Sequence, residues 1–98
     1  MNNGIPASLH RVFPSYDVSK LDVRGDKEGI IAQVLNHGTW GDVKWLYSVY
    51  SEKDIKQVVL HPHRGVWFPK VLTFWETVLD IKIPKQRREK ALFRIGPE

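Results

Sequence analysis

The sequence contains no cysteine among its 98 residues. A disulfide framework, a thiolate metal site and a catalytic cysteine are therefore excluded. The chain also lacks any apolar run close to the ~20 residues that span a bilayer. Its N-terminal stretch is polar and is interrupted by Pro6, unlike a secretory signal. We therefore expect a cytoplasmic protein that does not bind a membrane.

Positive charge is concentrated at one end of the chain. Residues 1–81 hold nine basic and nine acidic side chains, whereas residues 82–98 hold six basic and two acidic ones, which accounts for the net charge of +4. This distribution excludes a uniformly basic domain that coats nucleic acid on every face. We predict an irregular lead segment (1–24), a helical domain (25–81) and a basic C-terminal tail (82–98). The tail is expected to be a separable arm whose removal after Ile81 leaves the fold intact.

Helical periodicity begins after the lead segment. Apolar residues between Ile30 and Leu35 fall on one helical face and Gly38 is a typical stop signal, so the pattern predicts a first helix over 26–37. Within the lead segment, Phe13 and Tyr16 are the side chains expected to pin the chain onto the helical body.

Two further helices have start signals of the capping-box type. Thr39 with Asp42 predicts a second helix that runs to about Tyr50, and Ser51 with Asp54 predicts a short third helix that His61-Pro62 ends. Three apolar residues, Ile55, Val58 and Val59, form the buried side of the third helix.

Sequence signals in the C-terminal half predict two more helices. Pro69 suits the first turn of a fourth helix, and Pro84 could open a fifth, short, basic helix. The fourth helix has a predicted buried face of Val71, Leu72, Trp75, Val78 and Leu79. The expected fold class is all-α, a compact bundle of four or five short helices with an irregular N-terminal segment and a basic C-terminal tail.

Aromatic residues fall into two groups. Trp40, Tyr47 and Tyr50 share one stripe of the second helix and are interpreted as core, as is Trp75. Trp45 lies off that stripe, and Trp67 and Phe68 precede the fourth helix. Exposed aromatic residues are typical anchors of protein interfaces, so at least one of these three is expected to contact a partner.

The sequence offers little for catalysis or metal binding. His61-Pro62-His63 lacks the spacing of a zinc site and has no nearby acid. Glu76 and Asp80 share a helix face, as pairs of acids on solvated helix surfaces often do, and no nucleophile is visibly paired with a base. We predict a non-enzymatic protein with no catalytic residue, no metal and no cofactor.

The basic tail allows three interpretations: docking on an acidic partner protein, binding of nucleic acid, or a solvated terminus. The candidate partner-binding residues are Trp45, Trp67, Phe68, Lys85, Arg87, Arg88, Lys90, Phe93 and Arg94. The second and third helices also have the order of a helix-turn-helix, which keeps a DNA-binding regulator or autorepressor as the alternative. Mixed charges from Glu52 to Gln57 make that signal weak.

Several stretches taken together resemble a known family. They are Phe13 to Asp17, the run GIIAQVLNHGTWGDVKWL from Gly29 to Leu46, VYSEKDIKQVV from Val49, and Thr-Phe-Trp at Thr73 to Trp75. This pattern is similar to small bacterial helical domains often encoded beside AbiE-type nucleotidyltransferase toxins. The resemblance implies an antitoxin or accessory protein that binds its cognate toxin directly. This chain departs from the pattern by having Phe68 before Pro69, where the family tends to have Ser.

Overall fold

A computed structural model describes residues 5–14, 17–62 and 67–92. Across these ranges the protein is all-α, as predicted, with no β-strand and a single isolated bridge between Trp67 and Leu92. Two 3₁₀ helices come first, and five α-helices follow. The 3₁₀ helices are Ala7–Val12 and Val18–Lys20; the α-helices are α1 (Lys27–His37), α2 (Trp40–Val49), α3 (Glu52–Leu60), α4 (Pro69–Leu79) and α5 (Lys85–Ala91).

Both predicted capping boxes are present. The Thr39 hydroxyl accepts from the Asp42 backbone N–H at 3.3 Å, and the Asp42 carboxylate accepts from the Thr39 N–H at 2.9 Å. Ser51 and Asp54 make the same reciprocal pair at the start of α3. Each box satisfies two backbone groups at a helix start, so the short connections from α1 to α3 follow from local sequence.

Residues 1–50 and 51–98 form two compact units, which we call unit 1 and unit 2. Unit 1 is built around α1, whose Ile30, Ile31 and Val34 are fully buried. The lead segment packs with it rather than trailing: Leu9 and Phe13 are buried. Phe13 is therefore a pin as expected, whereas Tyr16 lies outside the described residues.

Two side-chain hydrogen bonds join distant parts of unit 1. The Gln33 side-chain amide donates to the Val12 carbonyl at 2.6 Å, which ties the first 3₁₀ helix to α1. The Tyr50 hydroxyl donates to the Val23 carbonyl at 2.7 Å, and its ring is buried, which confirms Tyr50 as a core residue. Each bond gives a backbone carbonyl a side-chain donor.

The turn between α1 and α2 depends on Gly38. A Cβ atom added there would lie 2.7 Å from the Val34 carbonyl oxygen and 3.0 Å from the Asp42 Cβ. Backbone on one side and a capping residue on the other leave no room for a side chain. Gly38 therefore allows only two residues to separate the end of α1 from the start of α2.

Unit 2 contains α3, α4 and α5 around a buried tryptophan. Trp67 has no exposed surface, and Ile55, Val59 and Leu72 are also fully buried. The Trp67 backbone N–H donates to the Ala91 carbonyl at 2.9 Å. This bond joins the chain before α4 to the end of α5.

The basic tail is not a separable arm, and that prediction is wrong. Ile83 and Ala91 are both buried, and the Ile83 N–H donates to Glu76 Oε2 at 2.9 Å. Residues 82–92 thus supply part of the interior of unit 2. Residues 93–98 lie outside the described part of the chain.

Candidate protein-binding surfaces

The outer side of α2 presents two large aromatic side chains to solvent. Trp40 is 65% exposed and Tyr47 is 38% exposed, and Lys44 between them is also exposed. Residues four and seven positions apart lie on one side of a helix. We call this set of three residues, Trp40, Lys44 and Tyr47, the α2 face.

The prediction that Trp40 and Tyr47 belong to the core is wrong, because both side chains are exposed on the α2 face. The inward side of α2 is formed by Asp42, Leu46 and Tyr50, which recur every four residues and are all buried. Asp42 points inward, where it pairs with Arg11, so the stripe that starts at Trp40 is turned outward. The capping box alone does not reveal this orientation, because Asp54 completes the same box at α3 while only half-buried.

Among the residues that the structure describes, Asp42 is the charged residue that is buried. Besides its bond from Thr39, its carboxylate accepts from Arg11 Nη2 at 3.2 Å and from Arg11 Nη1 at 3.3 Å. Burial alone would raise the pKa of Asp42, but the Thr39 bonds together with the bonds and charge of Arg11 outweigh it and lower that pKa. The pair anchors the start of α2, next to Trp40, to the first 3₁₀ helix.

We expect Asp42→Asn to lower the free energy of unfolding by about 1–2 kcal/mol at neutral pH, because it removes a charge-assisted bidentate pair whose arginine is partly solvated. The folded-state pKa of Asp42 is lowered, so the difference from wild type is fully present above about pH 4 and is lost as the pH falls through that lower value. Urea unfolding measured between pH 3 and pH 7 tests this expectation.

The control is Asp54→Asn, which makes the same change at the corresponding position of α3, where the carboxylate is only half-buried. A smaller loss is expected there. A loss at Asp42→Asn that is as large at pH 3 as at pH 7 would show that charge is not the source of the effect.

The three aromatic residues proposed for partner contact have different environments. Trp45 is half-buried and Phe68 is 36% exposed, so each has some surface to offer. Trp67 is completely buried, and its proposed role in partner contact is corrected. Its ring lies in the interior of unit 2, and its backbone N–H bonds to Ala91.

The proposed basic residues are also divided. Lys85 and Lys90 are exposed, and Arg87 is exposed but donates to the Leu60 carbonyl at 3.3 Å. Arg88 is instead tied into unit 2, where it pairs with Glu76 and donates to Thr73 Oγ1 and to the Pro69 carbonyl. Its contact with a partner stays a prediction, for a side chain that is already paired within unit 2. Phe93 and Arg94 lie outside the described residues.

The two acids of the fourth helix have different environments. Glu76 is occupied by Arg88 and the Ile83 N–H, whereas Asp80 is the exposed C-cap of α4 in the left-handed conformation. Within 5–14, 17–62 and 67–92, no group of three or more His, Asp or Glu residues could hold a metal ion. His61 is exposed, and His63 is outside the described ranges.

No helix in the described part of the chain has both the length and the apolar character needed to cross a membrane. The start of α3, the recognition helix in the DNA-binding alternative, has an exposed Glu52 and a capping Asp54. Two acids at this helix end are unfavourable next to a phosphate backbone.

Comparison with known proteins identifies a family for this chain. No curated protein and no solved structure matches the chain. The model of a family of unknown function, DUF6922, matches residues 9–59, a segment that includes Arg11, Asp42 and the whole α2 face. Since this segment is just over half of the 98 residues, the chain belongs to that family.

Proposed function

We propose that this protein is a non-enzymatic binding module that contacts a partner protein through the α2 face. The observation that carries the proposal is the exposure of Trp40, at 65%, on a helix whose other side is buried. Tryptophan and tyrosine are the residue types most enriched among the energetic centres of protein interfaces. Their exposure leaves unburied apolar area that a partner could cover.

The α2 face is also prearranged for binding. Its helix is fixed at the start by the capping box and by the Arg11–Asp42 pair, and Leu46 anchors the inward side. Side chains held on a rigid helix lose less conformational freedom on binding than side chains on a mobile loop. This arrangement supports recognition of a protein surface rather than a small substrate.

The partner we propose is a nucleotidyltransferase-type toxin, as the family resemblance of the sequence implies. In this proposal the protein is a cytoplasmic antitoxin or accessory protein that neutralises the toxin by direct contact. The exposed cations Lys85 and Lys90, with Arg87, add long-range attraction to an acidic groove of the toxin.

A DNA-binding regulator remains the alternative function. The observation that favours it is the excess of ten basic over six acidic residues in unit 2, while unit 1 has five of each. A gel shift with promoter DNA separates the two functions, because a phosphate-binding surface would show steep salt dependence and would not require Trp40.

The decisive experiment is co-expression with the product of the adjacent gene. Trp40→Ala and Tyr47→Ala should each weaken complex formation at least about tenfold and reduce the relief of growth arrest, because each removes a central aromatic contact. Affinity is measured by isothermal titration calorimetry and growth by colony counts.

Val49→Ala is the matched control. Val49 is 38% exposed, the same as Tyr47, but it lies on the opposite side of α2. Its substitution should change affinity less than about twofold. If no complex forms, the toxin proposal fails; if Val49→Ala weakens the complex as much as Tyr47→Ala, the α2 face is not the contact surface.

A further inference from the structure

A second exposed apolar surface lies on α4 in unit 2. Phe74 is 43% exposed and Val78 is 49% exposed, and Lys70, four residues before Phe74, is exposed as well. The spacing of four residues places all three on one side of the helix. We call this set, Lys70, Phe74 and Val78, the α4 face.

The α4 face is supported from beneath. The Phe74 ring packs edge-on against Trp75, with ring centroids 5.3 Å apart and planes at 88°. Trp75 is itself buried, as are Leu72 and Leu79 on the inward side of the helix. Phe74 therefore projects from a fixed position, and its exposed surface is not the result of a loose terminus.

Acidic side chains are absent from the α4 face. The acid within α4, Glu76, lies on the side opposite Phe74 and Val78, where it pairs with Arg88. Asp80 follows the helix as its C-cap, in the left-handed conformation. The α4 face thus combines apolar area with the positive charge of Lys70, and the acid of α4 itself lies on another side of the helix.

Unit 2, which contains the α4 face, is also positively charged as a whole. Unit 2 carries the entire net charge of +4 of the chain. Arg88 is paired with Glu76, whereas Lys82, Lys85 and Lys90 are exposed to solvent. A positively charged apolar surface attracts a negatively charged apolar ligand and repels a positive one.

We propose that the α4 face is a docking site for an acidic amphipathic segment of a partner protein. Apolar side chains of the segment cover Phe74 and Val78, while its carboxylates lie beside Lys70. This proposal goes beyond the function assigned to the α2 face, since it concerns a different helix in a different unit and does not require a toxin.

The test uses the full chain and a fluorescein-labelled synthetic helical peptide with leucine at every third or fourth position and glutamate elsewhere. Fluorescence anisotropy should show saturable binding that weakens as sodium chloride is raised. Phe74→Ser and Lys70→Glu should each raise the Kd at least about tenfold, because one removes apolar contact and the other reverses the charge beside it.

Lys20→Glu is the control for Lys70→Glu, since it makes the same charge change at an exposed lysine of unit 1, in the second 3₁₀ helix. It should raise the Kd less than about threefold. Trp40→Ser should leave peptide binding unchanged, which separates this site from the α2 face. Circular dichroism of every variant establishes that the helices are retained.

Three results would overturn the proposal. Equal weakening by Lys70→Glu and Lys20→Glu would indicate general charge attraction, and equal binding of a leucine-lysine peptide would exclude an acidic ligand. Binding of phosphatidylglycerol vesicles or duplex DNA that requires Phe74, without binding of the acidic peptide, would assign the face to a membrane or to nucleic acid instead.

Discussion

A chain that ends at Ile81 is expected to lose at least about 4 kcal/mol of the free energy of unfolding of unit 2, enough to leave that unit largely unfolded. The deletion removes Ile83 and Ala91, both buried, together with the Arg88–Glu76 pair. It also uncovers Trp67, whose backbone N–H loses its Ala91 acceptor. Urea unfolding followed by far-ultraviolet circular dichroism measures the loss.

The matched chain ends at Leu92. It keeps every contact described for α5 and the bridge between Trp67 and Leu92, so it should lose far less stability than the chain that ends at Ile81. A chain ending at Ile81 that unfolds cooperatively at the wild-type urea concentration would restore the interpretation of residues 82–98 as a separable arm.

Replacement of Trp67 by Ala is expected to destabilise the protein by about 3–5 kcal/mol, since it leaves a large cavity in unit 2. Trp67 is the largest fully buried side chain among the described residues. Trp67→Phe should cost less, because its ring fills part of the space and removes Nε1, a buried donor that has no hydrogen-bond partner. Thermal unfolding of both variants provides the comparison.

Phe68→Ala is the control for Trp67→Ala. Phe68 is adjacent in the sequence but 36% exposed, so its removal should change stability by less than about 1 kcal/mol. Trp67→Ala could instead unfold at the same temperature as Phe68→Ala and weaken partner binding. That result would contradict the assignment of Trp67 to the interior.

Local signals predicted the helices with good accuracy. The starts of α2 and α3 follow from Thr39 with Asp42 and from Ser51 with Asp54, and both capping boxes are present. These signals succeed because a capping box satisfies backbone groups only a few residues away. They need no knowledge of what the rest of the chain does.

Which side of each helix is buried was harder to predict. On α2, an apolar stripe from Trp40 to Tyr47 competes with the stripe of Leu46 and Tyr50, and the outward one contains the larger aromatic side chain. On α4, Val78 was predicted to be buried but is 49% exposed. Periodicity identifies a helix with several apolar positions, but only packing partners select which positions are covered.

The sequence by itself therefore determined the fold class, the order of the helices, their starts, and the absence of cysteine chemistry. Tertiary structure alone decided that α5 completes the interior of unit 2, that Arg88 pairs with Glu76, and that Trp67 is buried while Trp40 is exposed. The physical reason is the separation in sequence between the residues that interact. Caps and turns are settled between residues a few positions apart, whereas burial and ion pairing depend on side chains brought together from distant positions.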